Sequence, residues 1–314
     1  MSLTVGIDIG GTKVGGSVVD EDGAIVASAR RDTPSGDGPG LTRAAIEVIQ
    51  ELRSNHQVEA IGVGSAGYIS SDRSTVEMSP NLPWNKEPLR DNLRRVVDDL
   101  PIVVENDANV ALWGEYRFGA ARQGSSAVLF TVGTGIGGGI VLGGELVRGS
   151  HGFAGEMGHS RAVMDGRPCP CGSFGCLEQY ASGNALTRSA REGAAATPHK
   201  APTLLKLAGG DAEAITGYQV TEAALEGDEV ALEAFGFIGR YLGMACADMV
   251  QLLDPDHVII AGGVIAAGDL LMGPIQENYE RELADRKALP SATILPAELG
   301  TDAGVIGAAD LARR

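Results

Sequence analysis

The feature that most limits what this chain can fold into is a glycine turn used twice in the same setting. Residues 4–9, T-V-G-I-D-I, have the character of a short buried strand and run directly into G10-G-T-K13. V14-G-G-S-V-V-D20 reads as a second strand, E-D-G as a hairpin turn, and A24-I-V-A-S-A-R30 as a third strand. The plan then returns: S126-A-V-L-F-T-V132 is a strand, G133-T-G-I-G-G-G139 the turn, I140-V-L a strand, G143-G144 a turn and E145-L-V-R a strand. Gly10 aligns with Gly133, and Gly15 and Gly16 align with Gly138 and Gly139. A Walker A loop and a dinucleotide fingerprint both open a helix, so a glycine turn that opens a strand disfavours both. The repeat points instead to an internal duplication, two similar α/β domains facing each other, each offering a glycine turn to one ligand.

The rest of the chain alternates in the same way. Helical periodicity over 41–53 places Ala44, Ala45, Val48, Ile49 and Leu52 on one side. A strand over 60–67 ends in a glycine turn, 79–84 is loop by composition, and 87–98 is expected to be a helix. P-I-V-V-E (101–105) is a short buried strand, and N106-D-A-N leads into a further helix. Residues 183–227 look helical with polar breaks, and 228–253 form one long helix. H257-V-I-I-A is a strand, G262-G-V-I turns into a helix reaching about residue 285, and 292–296 is a last strand. The terminal helix that follows is expected to pack back on the first domain. At 314 residues two domains are the default. The expected division is 1–108 plus 299–314 for a small α/β domain and 109–298 for a larger one.

A net charge of −16 argues against nucleic acid, because a phosphate backbone requires clustered Lys and Arg. It leaves room for an anionic small ligand, since backbone N–H groups make a site locally positive on an acidic surface. No apolar run approaches the roughly 18 residues that cross a bilayer, and the N-terminus lacks a basic segment and cleavage site. A cytoplasmic protein with reduced thiols and no membrane partner is expected.

Four groups of residues can carry chemistry. The two glycine turns form nests of N–H groups for anionic oxygens, with Thr12 and Thr134 adding hydroxyls and Lys13 a charge. Asp8, ending the first strand, is placed to hold Mg²⁺ through water. Asp107 follows a buried strand, where a carboxylate faces the ligand crevice of an α/β sheet, although Asn106 and Asp107 also suit a helix N-cap. The densest signal is C169-P-C-G-S-F-G-C176 with His159 ahead of it, three of the four cysteines in the chain. In a reducing compartment that density favours Zn²⁺ over disulfides, and a Cys₃His set closes a tetrahedron, the mark of a structural metal. Cys246, on the long helix, reads as core. Glu156 and Glu178 bracket the cysteine loop and could be an acid–base pair of the glycosidase kind, acceptors for ligand hydroxyls, or surface charge.

D8-I-G-G-T-K13, E105-N-D-A-N109, G133-T-G-I-G-G-G139, E156-M-G-H159, C169-P-C-G-S-F-G-C-L-E178 and A261-G-G-V264 together resemble the ROK family of sugar kinases, above all its glucose-phosphorylating bacterial members. The motifs occur in the family's order and span most of the chain. The resemblance implies a two-domain actin-like ATPase fold, ribonuclease H-like, with an active-site cleft between the domains. It implies ATP-dependent phosphorylation of glucose at its 6-hydroxyl, with ATP, Mg²⁺ and a structural Zn²⁺. Asp107 matches the catalytic base. Asn81, Asn106, Glu156, His159 and Glu178 match positions that hold sugar hydroxyls, with Gly67 near the sugar. Gly10, Gly11, Thr12, Thr134 and Gly135 match phosphate contacts, and Gly262 and Gly263 match the adenosine side. Cys169, Cys171 and Cys176 join His159 as zinc ligands. With the nucleotide on the glycine turns, the cysteine loop is left the sugar, and Glu156 and Glu178 read as hydroxyl acceptors. A homodimer or homotetramer is implied. Another hexose, such as mannose, fructose or an N-acetylated amino sugar, is an alternative acceptor, and polyphosphate an alternative donor. A non-catalytic sensor or repressor is the other alternative, although only seven residues precede Asp8, too few for a repressor's DNA-binding module.

Overall fold

A computed structural model of the chain describes residues 2–97, 100–287 and 292–314. The chain divides into two compact units. The first is 1–129, 138–155 and 297–314, and the second is 130–137 and 156–296.

In the first unit, β1 (Thr4–Ile9), β2 (Lys13–Val19) and β3 (Ile25–Asp32) form an antiparallel meander. Then come α1 (Gly38–Asn55), β4 (Ile61–Ser65), β5 (Tyr68–Ile69), β6 (Val76–Met78), β7 (Asn85–Glu87), α2 (Leu89–Arg94), β8 (Ile102–Asn106) and α3 (Asp107–Phe118). The main sheet runs β3-β2-β1-β4-β8, with β1, β4 and β8 parallel. Strand β1 is buried on both faces, so its residues do not alternate with polar ones. Val5, Ile7 and Ile9 share one core with Leu41, Ala45, Val48 and Ile49 of α1. Helix α1 starts where Asp37 accepts from the Gly40 N–H.

Next along the chain are β9 (Ala127–Val132), β10 (Ile136–Leu142) and β11 (Glu145–Leu146). The helices α4 (Glu178–Ala181), α5 (Gly183–Ala196), α6 (Pro202–Leu207), α7 (Gly217–Leu225) and α8 (Glu229–Leu253) follow. They lead to β12 (His257–Ala261), α9 (Asp269–Asp285), β13 (Thr293–Pro296) and α10 (Ala303–Ala312). The sheet is ordered β11-β10-β9-β12-β13. That is the order of the first sheet repeated element for element, as the duplicated turn predicts. The two units divide β9 after Leu129 and β10 after Gly137.

Helix α8 is long and apolar enough by composition to cross a membrane, with mean hydropathy 1.3. Most of that stretch is buried, however, and it packs along α9 as a core helix. Its N-cap, the buried Asp228, accepts from Ala231 N–H and also from Thr203 and Leu204 N–H (all 3.1 Å), so one carboxylate starts both α8 and α6.

Three expectations change. The helix expected over 87–98 is only Leu89–Arg94, and residue 98 lies outside the described residues. Residues 136–139, read as turn, are strand, so β10 begins at Ile136. A small sheet β5-β6-β7 occupies 68–87, where no strand was expected beyond residue 67. The first unit includes residues 1–129 and 138–155. Helix α3 packs on α10, and buried Glu115 of α3 accepts from the Glu298 and Leu299 N–H groups (3.1 and 2.8 Å). Helix α10 lies with the N-terminal unit. Its approach is close enough that a Cβ on Gly62 of β4 would meet Ala308 O at 1.8 Å, which leaves glycine as the residue that fits.

Candidate active site

The parallel register of the first sheet lines up the ends of three strands. Ile9 pairs with Ser65 and Ser65 with Asn106, so the segments that follow, beginning at Gly10, Ala66 and Asp107, leave the sheet along one edge. This is the carboxyl edge at which α/β sheets bind ligands. Asn106 and Asp107 sit differently at this edge. Asn106 is the cap: its Oδ1 accepts from Ala108 and Asn109 N–H (2.9 and 3.1 Å), while its Nδ2 donates to Gly67 O (3.1 Å). Asp107 is the first residue of α3, and its Oδ1 accepts from Ala108 N–H at 2.9 Å. Burial pushes the Asp107 carboxyl above the ordinary carboxylate range, against the pull of the Ala108 N–H and the Asn106 side chain.

Asp8 is close enough to feel that carboxylate. Burial first, and the Asp107 charge second, push Asp8 up to about 6, while Lys13 pulls it down. Two carboxylates with one lysine near them leave negative charge that a hard cation would neutralise, and the chemistry suits Mg²⁺ held partly through water. The glycine turn beside them is closed by Gly10 N–H to Lys13 O (3.0 Å) and by the Thr33 hydroxyl donating to Gly10 O (2.7 Å). Gly11, Thr12 and Lys13 stay exposed beyond that closure. Asn81 is exposed too, with its carbonyl beside Gly11. The first unit thus gathers Asp8, Gly10, Gly11, Thr12, Lys13, Gly67, Asn81, Asn106 and Asp107 at one end of its sheet.

The second unit has its own cluster. Its glycine turn is closed by Gly133 N–H to Gly135 O (3.0 Å), and Gly133 O accepts from Gly183 N–H (2.8 Å). Thr134 is exposed at its tip. Glu178, the first residue of α4, reaches this turn: its Oε2 accepts from Ile136 N–H at 3.1 Å. A Cβ on Gly135 would lie 2.2 Å from that oxygen, so the carboxylate occupies the space a side chain would need. Gly262, just after β12, lies against Val132 of β9, and Gly263 follows it in the open. Thr134, Gly135, Gly262, Gly263 and Glu178 are therefore neighbours of the same strand ends.

The cysteine loop folds as a compact knot. Arg161 bridges Cys176, Pro168 bridges Phe174, and Cys169 N–H donates to Ser173 O (2.8 Å). One ligand atom from each of His159, Cys169, Cys171 and Cys176 lies within 4.8 Å of the other three. Cys171 Sγ is 3.7 Å from Cys176 Sγ, and Cys169 Sγ is 3.8 Å from His159 Nδ1. A tetrahedron of thiolates about 2.3 Å from Zn²⁺ has edges of about 3.7 Å, so the set fits zinc. The same short helical turn carries Glu156, whose carbonyl accepts from His159 N–H (3.1 Å). With Nδ1 facing the thiols, the imidazole turns Nε2 away from them.

The sequence reading missed one buried group behind Asp107. Glu105, 1% exposed, lies one residue before the end of β8 and pairs with Arg73 and Arg148. An acid ending the apolar run P-I-V-V was the available signal.

A model of the ROK family matches residues 4–314. A glucokinase of Streptomyces coelicolor is 44% identical over 313 residues, covering 100% of this chain and 98% of that protein. A ROK family glucokinase from Streptomyces griseus, solved in complex with glucose and AMPPNP, superposes with a TM-score of 0.88 at 46% identity over 99% of both chains. A ROK hexokinase from Thermus thermophilus superposes with a TM-score of 0.83 at 32% identity, covering 98% of this chain and 96% of that one.

Proposed function

The chain belongs to the ROK family, with the actin-like ATPase fold of its kinases, and from that premise we propose that it transfers the γ-phosphoryl group of ATP to the 6-hydroxyl of glucose. The observation that carries this reading is the full-length likeness to the Streptomyces griseus enzyme, which was solved with glucose and AMPPNP together.

In this reading Asp107 is the base. A sugar hydroxyl is a poor nucleophile and a carboxylate too weak to ionise it outright. Phosphoryl transfer is loose, so the proton leaves late and the carboxylate chiefly orients the attacking oxygen. A carboxyl raised by burial is the better acceptor for that late proton. Asn81, Asn106, Glu156, His159 Nε2 and Glu178 hold sugar hydroxyls, with Gly67 near the ring. The N–H groups of Gly10, Gly11 and Gly135, with Thr12, Lys13 and Thr134, hold the phosphates, and Gly262 and Gly263 the adenosine. Mg²⁺, when bound near Asp8, supplies charge neutralisation at the β- and γ-phosphates. Zn²⁺ on His159, Cys169, Cys171 and Cys176 is structural, since four protein ligands close its coordination. Three free thiols so close together suit a reducing cytoplasm. A homodimer or homotetramer is part of the same reading.

A coupled assay across glucose, mannose, fructose and N-acetylated amino sugars, each with ATP and polyphosphate, tests the assignment. Glucose with ATP should give the highest kcat/KM. The Thermus thermophilus relative, a hexokinase by name, makes a wider hexose range the second reading. A preference for another acceptor would overturn glucose and leave the phosphoryl transfer standing.

A further inference from the structure

Behind Asp107 a buried carboxylate, Glu105, meets two partly exposed arginines, a network with no part in the mechanism above. Glu105 Oε1 accepts from Asn106 N–H (2.9 Å) and from Asn109 Nδ2 (3.1 Å). Its Oε2 lies 2.6 Å from Arg148 Nε and 3.2 Å from Arg73 Nε. Arg148 then uses the rest of its fork on backbone, donating to Ser71 O (2.7 Å) and Ser70 O (2.9 Å). Arg73, held at φ 58°, donates its N–H to Ser70 O (2.9 Å), and its carbonyl accepts from Val104 N–H (3.2 Å). Three separate segments, 70–73, 104–109 and the residue after β11 and Val147, are thus tied at one carboxylate. All belong to the first unit.

Stability alone is a poor reason for such a group. A buried ion pair recovers little beyond its own desolvation, and apolar residues of like volume often serve as well. What the network does supply is a fixed joint. Glu105 holds Asn106, Asn106 caps α3 and grips Gly67 O, and Asp107 is the next residue along. We infer that Glu105 and Arg148 are positioning residues for Asp107, an assignment that rests on Asp107 being the base. They fix the angle at which β8 passes into α3, and so the direction of the carboxylate. Neither touches the reacting atoms. A misplacement near 1 Å costs about 100-fold in rate, so a joint loosened behind the base is read in turnover before it is read in binding.

The test compares Glu105→Gln, Arg148→Met, Arg148→Lys and the Glu105→Gln/Arg148→Met double variant with the unaltered enzyme. Rates are taken well below each unfolding midpoint and divided by the glucose-binding stoichiometry from calorimetry. Expected are kcat values lower by roughly 10–100-fold, with KM for MgATP within about twofold. The double variant should be no slower than the slower single, because both remove one joint. Should Glu105→Gln fail to fold, Arg148→Lys carries the test, since it keeps a charge against Glu105 and loses only the carbonyl clamps. Unchanged kcat per binding-competent molecule, with only a lower midpoint, would make the network structural and overturn the inference. Asp107→Ala is run alongside. If that variant turns over near normally, the base assignment fails, a result separate from any outcome at Glu105.

Discussion

Asp8 and Asp107 are like charges held near one another, and the consequence is measurable without substrate. Unfolded, Asp8 ionises near the ordinary value of 3.8, and folded it ionises at about 6. Between those values the folded state binds the proton more tightly. The contribution of Asp8 to stability therefore falls as pH rises from about 4 to about 6 and stays lost above, on the order of 1–3 kcal/mol. In EDTA, Asp8→Asn should be more stable than the unaltered protein at pH 7 by about that much and no more stable at pH 4, by urea unfolding. An equal difference at both pH values would remove the charge argument. The same variant should lose most MgATP-dependent turnover. Asp107→Ala should lower kcat by about 10²–10⁴-fold while glucose still binds by calorimetry. These residues were legible in the sequence because a strand end followed by a polar side chain has a known orientation. Glu105 and Arg148 were not: 43 positions separate them, and only the folded chain brings Arg148, with Arg73, onto the buried carboxylate.

At the scale of elements, the cysteine loop and the second glycine turn are mechanically joined through Glu178. Cys171→Ser removes one of the four proposed zinc ligands from the loop that carries Glu156 and His159, and Glu178 starts the helix immediately after it. The expected result is loss of bound zinc by metal analysis and a KM for sugar raised about tenfold or more, in line with perturbed metal shells, with KM for ATP moved less. Unchanged sugar affinity in a zinc-free protein would dissociate the loop from the sugar. The cysteine spacing revealed this element because eight residues with three thiols admit few folds. The β5-β6-β7 sheet stayed hidden for the opposite reason. Its strands are two and three residues long, too short for a period of two to show. Residues 136–139 were misread because three glycines suggest a turn, whereas sheet pairing overrides that local preference in β10.

The duplicated turn was legible in the sequence as a repeat of strand, turn and strand, and the two sheets share one strand order. The sequence did not reveal how tightly the C-terminus is bound into the N-terminal unit. Arg313 donates from Nε to Thr4 Oγ1 (2.9 Å) and from its guanidinium to Val19 O (3.0 Å), while buried Asp310 accepts from Trp113 Nε1 (2.9 Å). Val305, Ile306 and Ala309 of α10 form a core with Val19. A Cβ on Gly307 would meet Val110 O at 1.8 Å. The first unit therefore lacks one side of its core until the last dozen residues arrive. Two variants separate this from ordinary surface packing. Gly307→Ala should cost upwards of about 3 kcal/mol, since neither backbone can yield without moving a helix. Truncation before Ala303 should leave the first unit open to limited proteolysis, with cuts concentrated in residues 1–129. A truncated chain that resists protease there and unfolds at the same temperature would show that the sheet of the first unit stands without α10.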